Sequence, residues 1–154
     1  MFDTKDYQIL STLQQNSRTT ASEIADLVKM SISAVTERIK KLKDNGTVES
    51  YTAKLNAKEL GFDLAAYIAV VSSSSEHYEE IIQKSIKQPA VLECHSVTGD
   101  GSHMLKVRVR NSSELEQLLR DIQSWPGVIR THTSVIMSTY KEGFELDLTS
   151  LNNT

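Results

Sequence analysis

The sequence predicts an α+β chain, with an N-terminal winged helix-turn-helix domain followed by a C-terminal ferredoxin-like βαββαβ domain. Three observations predict it. Three short amphipathic stretches, each preceded by a polar residue able to cap a helix, fill the first 45 residues. From Leu64 onward, strand-length segments and two amphipathic helical stretches follow the order strand, helix, strand, strand, helix, strand. Between them, Asn56 to Asp63, punctuated by Gly61, suits a short helical connector. The expected divisions are 1–61 for the first domain and its connector, 62–141 for the second, and 142–154 for a mobile tail.

In the first domain, Asp3 or Thr4 can cap a helix to about Gln15 whose inner side carries Ile9, Leu10 and Leu13. The polar run Asn16-Ser17-Arg18-Thr19 breaks it. Thr20-Ala21-Ser22-Glu23 then matches a capping box, in which hydroxyl and carboxylate each satisfy a backbone donor of the next helix. That helix is expected to bury Ile24, Leu27 and Val28. Only Lys29-Met30 separate it from the Ser31 cap of a third helix, a spacing that suits a helix-turn-helix.

The third helix, Ser31 to Asn45, places Ile32, Val35, Ile39 and Leu42 on one stripe. Gly46 can end it in a left-handed conformation. Ser33, Thr36, Glu37, Lys40 and Lys41 remain on the opposite face, with Arg38 at its margin. The β-branched run Thr47 to Leu55 is expected to form a two-stranded wing.

In the second domain, Leu64 to Ser72 is an almost wholly apolar run suited to a buried strand. Ser73-Ser74-Ser75 leads into a helix to about Lys87 with the stripe Tyr78, Ile81, Ile82 and Ile86, and Pro89 stops it. Val91 to Thr98 and Met104 to Arg110 read as strands around the turn Gly99 to Ser102. In the latter strand Leu105, Val107 and Val109 alternate with Lys106, Arg108 and Arg110, which marks a sheet with one face left uncovered by its own helices. Asn111 caps a helix carrying Leu115, Leu118, Leu119 and Ile122. Trp125-Pro126-Gly127 ends that helix, and Val128 to Tyr140 is the last strand. Two interleaved crossovers in this order place both helices on one face.

Composition constrains function by exclusion. Hydrophobic residues make up 39% of the 154, enough for a core, and a single Cys94 precludes an internal disulfide framework. No apolar run is long enough to span a bilayer and no secretory signal opens the chain, so a cytoplasmic location with no membrane partner is expected. The four histidines show no metal-ligand spacing, and no phosphate loop or nucleophile elbow is present, so neither metal, cofactor nor enzyme activity is expected.

The net charge of -3 is unevenly spread: residues 1–60 carry nine Lys/Arg against eight Asp/Glu, whereas 61–154 carry eight against twelve. From Lys29 to Lys43, five cations face Glu37 alone. Phosphate attraction is screened over ~8–10 Å, so a local basic face matters more than the total.

The candidate DNA-contacting residues are Ser31, Ser33, Ala34, Thr36, Glu37, Arg38, Lys40 and Lys41. The small side chains would let the helix backbone approach base edges, Ala34 and the Thr36 methyl could meet thymine methyls, and the cations could reach phosphates or guanine acceptors. An amphipathic helix with a merely solvated charged face has the same local pattern. The capped helix, turn and helix context selects the DNA reading.

Several stretches in order resemble the Lrp/AsnC, or feast/famine, family of transcription regulators. These are Asp3-x-x-Asp6-x-x-Ile9-Leu10-x-x-Leu13-Gln14, Asn16-Ser17-Arg18, Ser31-x-x-x-Val35-x-x-Arg38-Ile39-x-x-Leu42, Gly46-x-Val48, Tyr51-x-Ala53, Leu60-Gly61, Val97-Thr98-Gly99-Asp100, Leu105-Lys106-Val107 and Pro126-Gly127-Val128. The resemblance implies a sequence-specific regulator that binds double-stranded promoter DNA. It also implies assembly into a dimer and often an octamer through the C-terminal domain, and sensing of a small molecule, frequently an amino acid.

For the effector, the candidates are the loop Gly99, Asp100, Gly101, Ser102 and His103, with Thr131 and Thr133 on the nearby strand. Gly99 and Gly101 allow close backbone approach, Asp100 offers charge, and the hydroxyls offer hydrogen bonds. A hairpin turn with a Thr-rich strand would look alike. The family's loop typically continues Gly-Asp with an aromatic, an acid and an aromatic, where this chain has Gly101, Ser102 and His103. An acid that could meet an amino group is therefore missing.

Two alternatives accompany the regulator. One is an architectural DNA-compacting protein without an effector. The other is a haem-pathway decarboxylase-like enzyme, for which His103, Arg108, Arg110 and His132 would have to gather at a tetrapyrrole.

Overall fold

The structure is a computed structural model that describes residues 2–149 and 151. Its elements run α1 (Thr4–Gln15), α2 (Ala21–Val28), α3 (Ile32–Asp44), β1 (Leu64–Ser72), α4 (Tyr78–Lys87), β2 (Val91–Ser96), β3 (His103–Val109), α5 (Ser112–Gln123) and β4 (Val128–Val135). A 3-10 turn, Ser75–His77, precedes α4. The chain divides into two compact units. One holds the described residues through Lys54 and those from Lys141 onward; the other is Leu55–Tyr140.

In the first unit, Ile9, Leu13, Ile24, Ala25, Val28, Val35 and Leu42 form the core, with Leu10, Ile39 and Val48 packed against it. Leu27 and Ile32, expected inside, are 64% and 54% exposed. The inner stripe of α2 uses Ala25 instead of Leu27, which turns Leu27 roughly 100° from the stripe centre at ~100° per residue. Ile32, as the first residue of α3, precedes a buried stripe that begins at Val35.

No strand forms between Thr47 and Asp63: Val48 packs on the core, and the chain from Glu49 to Asn56 is exposed and without regular structure; the connector makes hydrogen-bonded turns at Ala57–Gly61 rather than a helix. A lone two-stranded ribbon is marginal in water, and these β-branched residues have no third strand to lean on. The chain from Lys141 is likewise not a free tail over its described residues. The Gln14 side chain accepts from the Leu146 N–H at 2.8 Å and donates to the Leu146 carbonyl at 3.2 Å. Lys54 Nζ donates to the Glu142 carbonyl at 2.6 Å. Residues 150 and 152–154 of the expected tail lie outside the described residues.

The second unit is a four-stranded antiparallel sheet of order β2-β3-β1-β4. On one face Ala66, Ile68, Val70, Leu105, Val107 and Val109 meet Ile81 of α4, Leu115, Leu118 and Ile122 of α5, and Trp125. Tyr67 (41% exposed), Met104 and Lys106 alternate onto the other face. Ile86, expected on the inner stripe of α4, is exposed, and Ser85 takes the buried position, donating its hydroxyl to the Ile81 carbonyl at 2.8 Å. The last strand stops at Val135 rather than Tyr140: the Ile136 N–H still donates to the Ala65 carbonyl at 2.9 Å, and β1 itself begins at Leu64.

Candidate DNA-reading helix and effector loop

α3 is built by its ends and its stripe. Ser31 Oγ accepts from the Ala34 N–H at 3.2 Å, which caps the first turn. At the other end Gly46 has φ +79°, and the Val48 N–H donates to the Leu42 carbonyl at 2.9 Å. Before it, α2 ends on Lys29, the one non-glycine described residue with positive φ (56°), and the Met30 N–H closes the turn on Ala25 at 3.1 Å. Val35 and Leu42 are buried, so the helix presents a fixed outer face.

On that face Ser31, Ser33, Thr36, Glu37, Lys40 and Lys41 are exposed and Ala34 is half-buried. The Thr36 hydroxyl donates to the Ile32 carbonyl at 2.8 Å, which holds the side chain against the helix. Ser31 and Ser33 hydroxyls lie 3.1 Å apart. Lys43 is turned to the Glu49 carbonyl and stands 6.0 Å from the Tyr51 ring centroid, so it braces the chain after α3.

Arg38 departs from expectation. Its Nη1 donates to Asp3 Oδ1 and Oδ2 at 2.8 and 2.7 Å and to Asp6 Oδ1 at 2.8 Å. It therefore ties α3 to the first turn of α1 and is not a free cation on the reading face. The hydrogen bond from Arg38 is the leading cause that holds the Asp3 carboxyl below its usual range. In the sequence Asp3 stands as a cap and as part of the Asp3-x-x-Asp6 stretch, with nothing local to pair it with Arg38. The signal available was a pair of acids three apart at a helix start with an arginine elsewhere in the same domain.

At the effector loop, Gly99 takes φ +112°. Gly101 is tight for another reason: an added Cβ would lie 3.2 Å from the Val70 carbonyl, so its small size serves the sheet's own backbone rather than a ligand. The Ser102 hydroxyl lies 3.2 Å from that carbonyl and 2.9 Å from His103 Nδ1. His103, expected to meet a ligand, is fully buried, and burial pushes its imidazole pKa down. A position at the start of a central strand, pointing to the helix-covered face, leaves it no path to solvent.

Thr131 and His103 both pair with Val70, on its two sides, so loop and strand stand two strand spacings apart, ~10 Å. Thr131 Oγ1 accepts from Gln123 Nε2 at 3.1 Å, whereas Thr133 and Asp100 are exposed. The four residues proposed for a tetrapyrrole do not converge. His103 faces the helices, His132 pairs with Ala69 on the opposite face, Arg108 donates to the Phe62 carbonyl at 3.2 Å, and Arg110 pairs with Glu114. No helix among the described residues is long and apolar enough to cross a membrane.

Two family profiles match the chain. A winged helix-turn-helix DNA-binding profile matches residues 2–49, and a profile of the Lrp/AsnC ligand binding domain matches residues 65–146. The chain is 34% identical over 146 residues to the HTH-type transcriptional regulator FL11 of Pyrococcus abyssi, covering 95% of this chain and 96% of that protein. It is 31% identical over 138 residues to LrpA of Mycobacterium tuberculosis, covering 90% and 91%. Among solved structures, a Neisseria meningitidis transcriptional regulator in complex with L-Met superposes with a TM-score of 0.93 at 29% identity, over 98% of this chain and 99% of that one. AsnC of E. coli superposes at 0.88 and 25%, over 94% and 98%.

Proposed function

The chain belongs to the Lrp/AsnC family of DNA-binding transcriptional regulators, and on that premise we propose that α3 is the helix with which it reads promoter DNA. The observation that carries this is the exposed outer face of a helix fixed by buried Val35 and Leu42 and capped at both ends. Ser33, Ala34 and Thr36 are small enough to let its backbone approach base edges. Lys40 and Lys41 supply the phosphate contacts, Ser31 and Glu37 border the face, and Arg38 supports it from behind.

We further propose an amino-acid effector, the class that L-Met represents in the Neisseria relative. Asp100 and Thr133, both exposed, are the side chains able to meet it, with the Gly99 backbone beside Asp100. Gly101, Ser102, His103 and Thr131 shape the loop and strand from beneath. The uncovered sheet face around Tyr67 and Met104 is the surface for dimer formation, and an octamer is the higher assembly we expect. The protein acts in the cytoplasm without catalytic chemistry.

Replacing both Lys40 and Lys41 with Ala tests the reading. For every phosphate that thereby goes without its cation, the slope of log affinity against log salt should flatten by about 0.9. An unchanged affinity and slope would remove α3 from the interface. Calorimetry with the twenty amino acids tests the effector, with heat expected from at least one and silence from all contradicting it.

A further inference from the structure

Arginine is the cation best suited to grip a phosphate, because its planar fork matches the oxygens. On α3 the one arginine is withdrawn from that use. Arg38 lies in a groove lined by Phe2, Asp3, Asp6, Glu37 and Lys41, and its side chain is 32% exposed.

The two carboxylates that hold it are themselves held. Asp3 Oδ1 accepts from the Asp6 N–H at 2.9 Å, and Asp6 Oδ2 accepts from the Asp3 N–H at 3.1 Å. This reciprocal capping box fixes two like charges side by side at the start of α1, where a cation between them relieves their repulsion. Arg38 Nη1 donates to both carboxylates, the two Asp3 oxygens sharing one of its N–H groups, and the three groups together sum to a formal charge of about -1.

We propose that Asp3 and Asp6 clasp Arg38 so that it positions α3 but is withheld from DNA phosphates, which keeps the affinity for non-specific DNA low. The inference rests on α3 being the reading helix. Non-specific binding is almost wholly electrostatic, whereas specific binding adds base contacts. Sequestering one cation therefore removes one phosphate contact from the term that supplies almost all of the non-specific affinity.

The test is binding to promoter and random duplexes over a range of salt by the full chain, the double variant Asp3→Asn with Asp6→Asn, Arg38→Gln, and the Lys40→Ala with Lys41→Ala control. Asn caps a helix as well as Asp does, so the double variant keeps the start of α1 while releasing the guanidinium. It should bind random DNA several-fold more tightly and steepen the salt slope by about 0.9. Arg38→Gln should leave the slope unchanged even where it lowers stability, because the slope counts phosphates neutralised and not the amount of folded protein.

An unchanged random-DNA affinity and slope in the double variant would overturn the clasp. So would a slope flattened by Arg38→Gln, because Arg38 would then already be a phosphate ligand. If the lysine control flattens the slope while the double variant does nothing, the clasp alone fails. If the lysine control leaves the slope unchanged, the reading of α3 fails and takes the clasp with it.

Discussion

The imidazole of His103 meets the ring of Tyr78 edge-on, with centroids 4.9 Å apart and planes at 90°. His103 Nδ1 is engaged by the Ser102 hydroxyl, but Nε2 is buried without a partner among the described residues. A neutral imidazole tolerates this site and a charged one does not, which is why burial pushes its pKa below the ordinary 6.5.

A pH dependence follows from that depressed value. The unfolded chain takes up a proton on His103 as pH falls through about 6.5, while the folded chain resists it until its own lower pKa is reached. Stability contributed by the neutral folded form is thus present above about 6.5 and is lost as pH falls through the folded value. His103→Phe keeps an aromatic against Tyr78 and removes the orphaned nitrogen, so it should stabilise the protein by about 1 kcal/mol at pH 7 and by more at pH 5.5. Urea unfolding of both proteins across this range checks it, and parallel curves would count against the account.

Gly127→Ala should be strongly destabilising. Gly127 has φ +79°, and a Cβ there would lie 2.4 Å from the Cβ, Cγ and Cδ2 of His77. Strain in the left-handed region and displacement of the His77 ring together cost about 2–3 kcal/mol. A thermal melt of the variant should show a transition lowered by several degrees.

Lys29→Gly should act in the opposite direction. Lys29 closes α2 in the left-handed region at φ 56°, ψ 52°, where a side chain costs about 1–2 kcal/mol. Glycine loses about 0.5–1 kcal/mol more than other residues through the flexibility of its unfolded state. The difference leaves a net gain of about 0.5 kcal/mol, measurable as a higher midpoint in urea. A lower midpoint would mean that the Lys29 side chain stabilises the fold by more than its strain costs.

What was legible in the sequence is what depends on near neighbours. The Thr20–Glu23 capping box, the Ser31 cap, the two-residue turn and the alternation of Leu105, Val107 and Val109 all involve spacings of two to four residues, and each is present. The features that escaped depend on partners far along the chain. Arg38 meets Asp3 across 35 residues and Gln14 meets Leu146 across 132, and no periodicity records either pairing. The domain matches a winged helix-turn-helix profile, yet the two strands expected at Thr47 to Leu55 are absent, since local β propensity does not by itself supply a strand partner. His103 looked like a loop residue because it follows Gly99 to Ser102. In the structure it is the first residue of β3 and takes the inward position of the alternation that Leu105 continues.

Selection of binding sites from a random duplex library tests most directly that the outer face of α3 reads base sequence. The full chain and a variant carrying Ser33→Ala with Thr36→Val would be compared at one salt concentration. The account predicts that the variant, with its lysines intact, binds its best sites with affinity within about tenfold of the parent, the effect of one or two altered base contacts, yet selects a different base at one or two positions of each half-site. An identical consensus from the two proteins would contradict it.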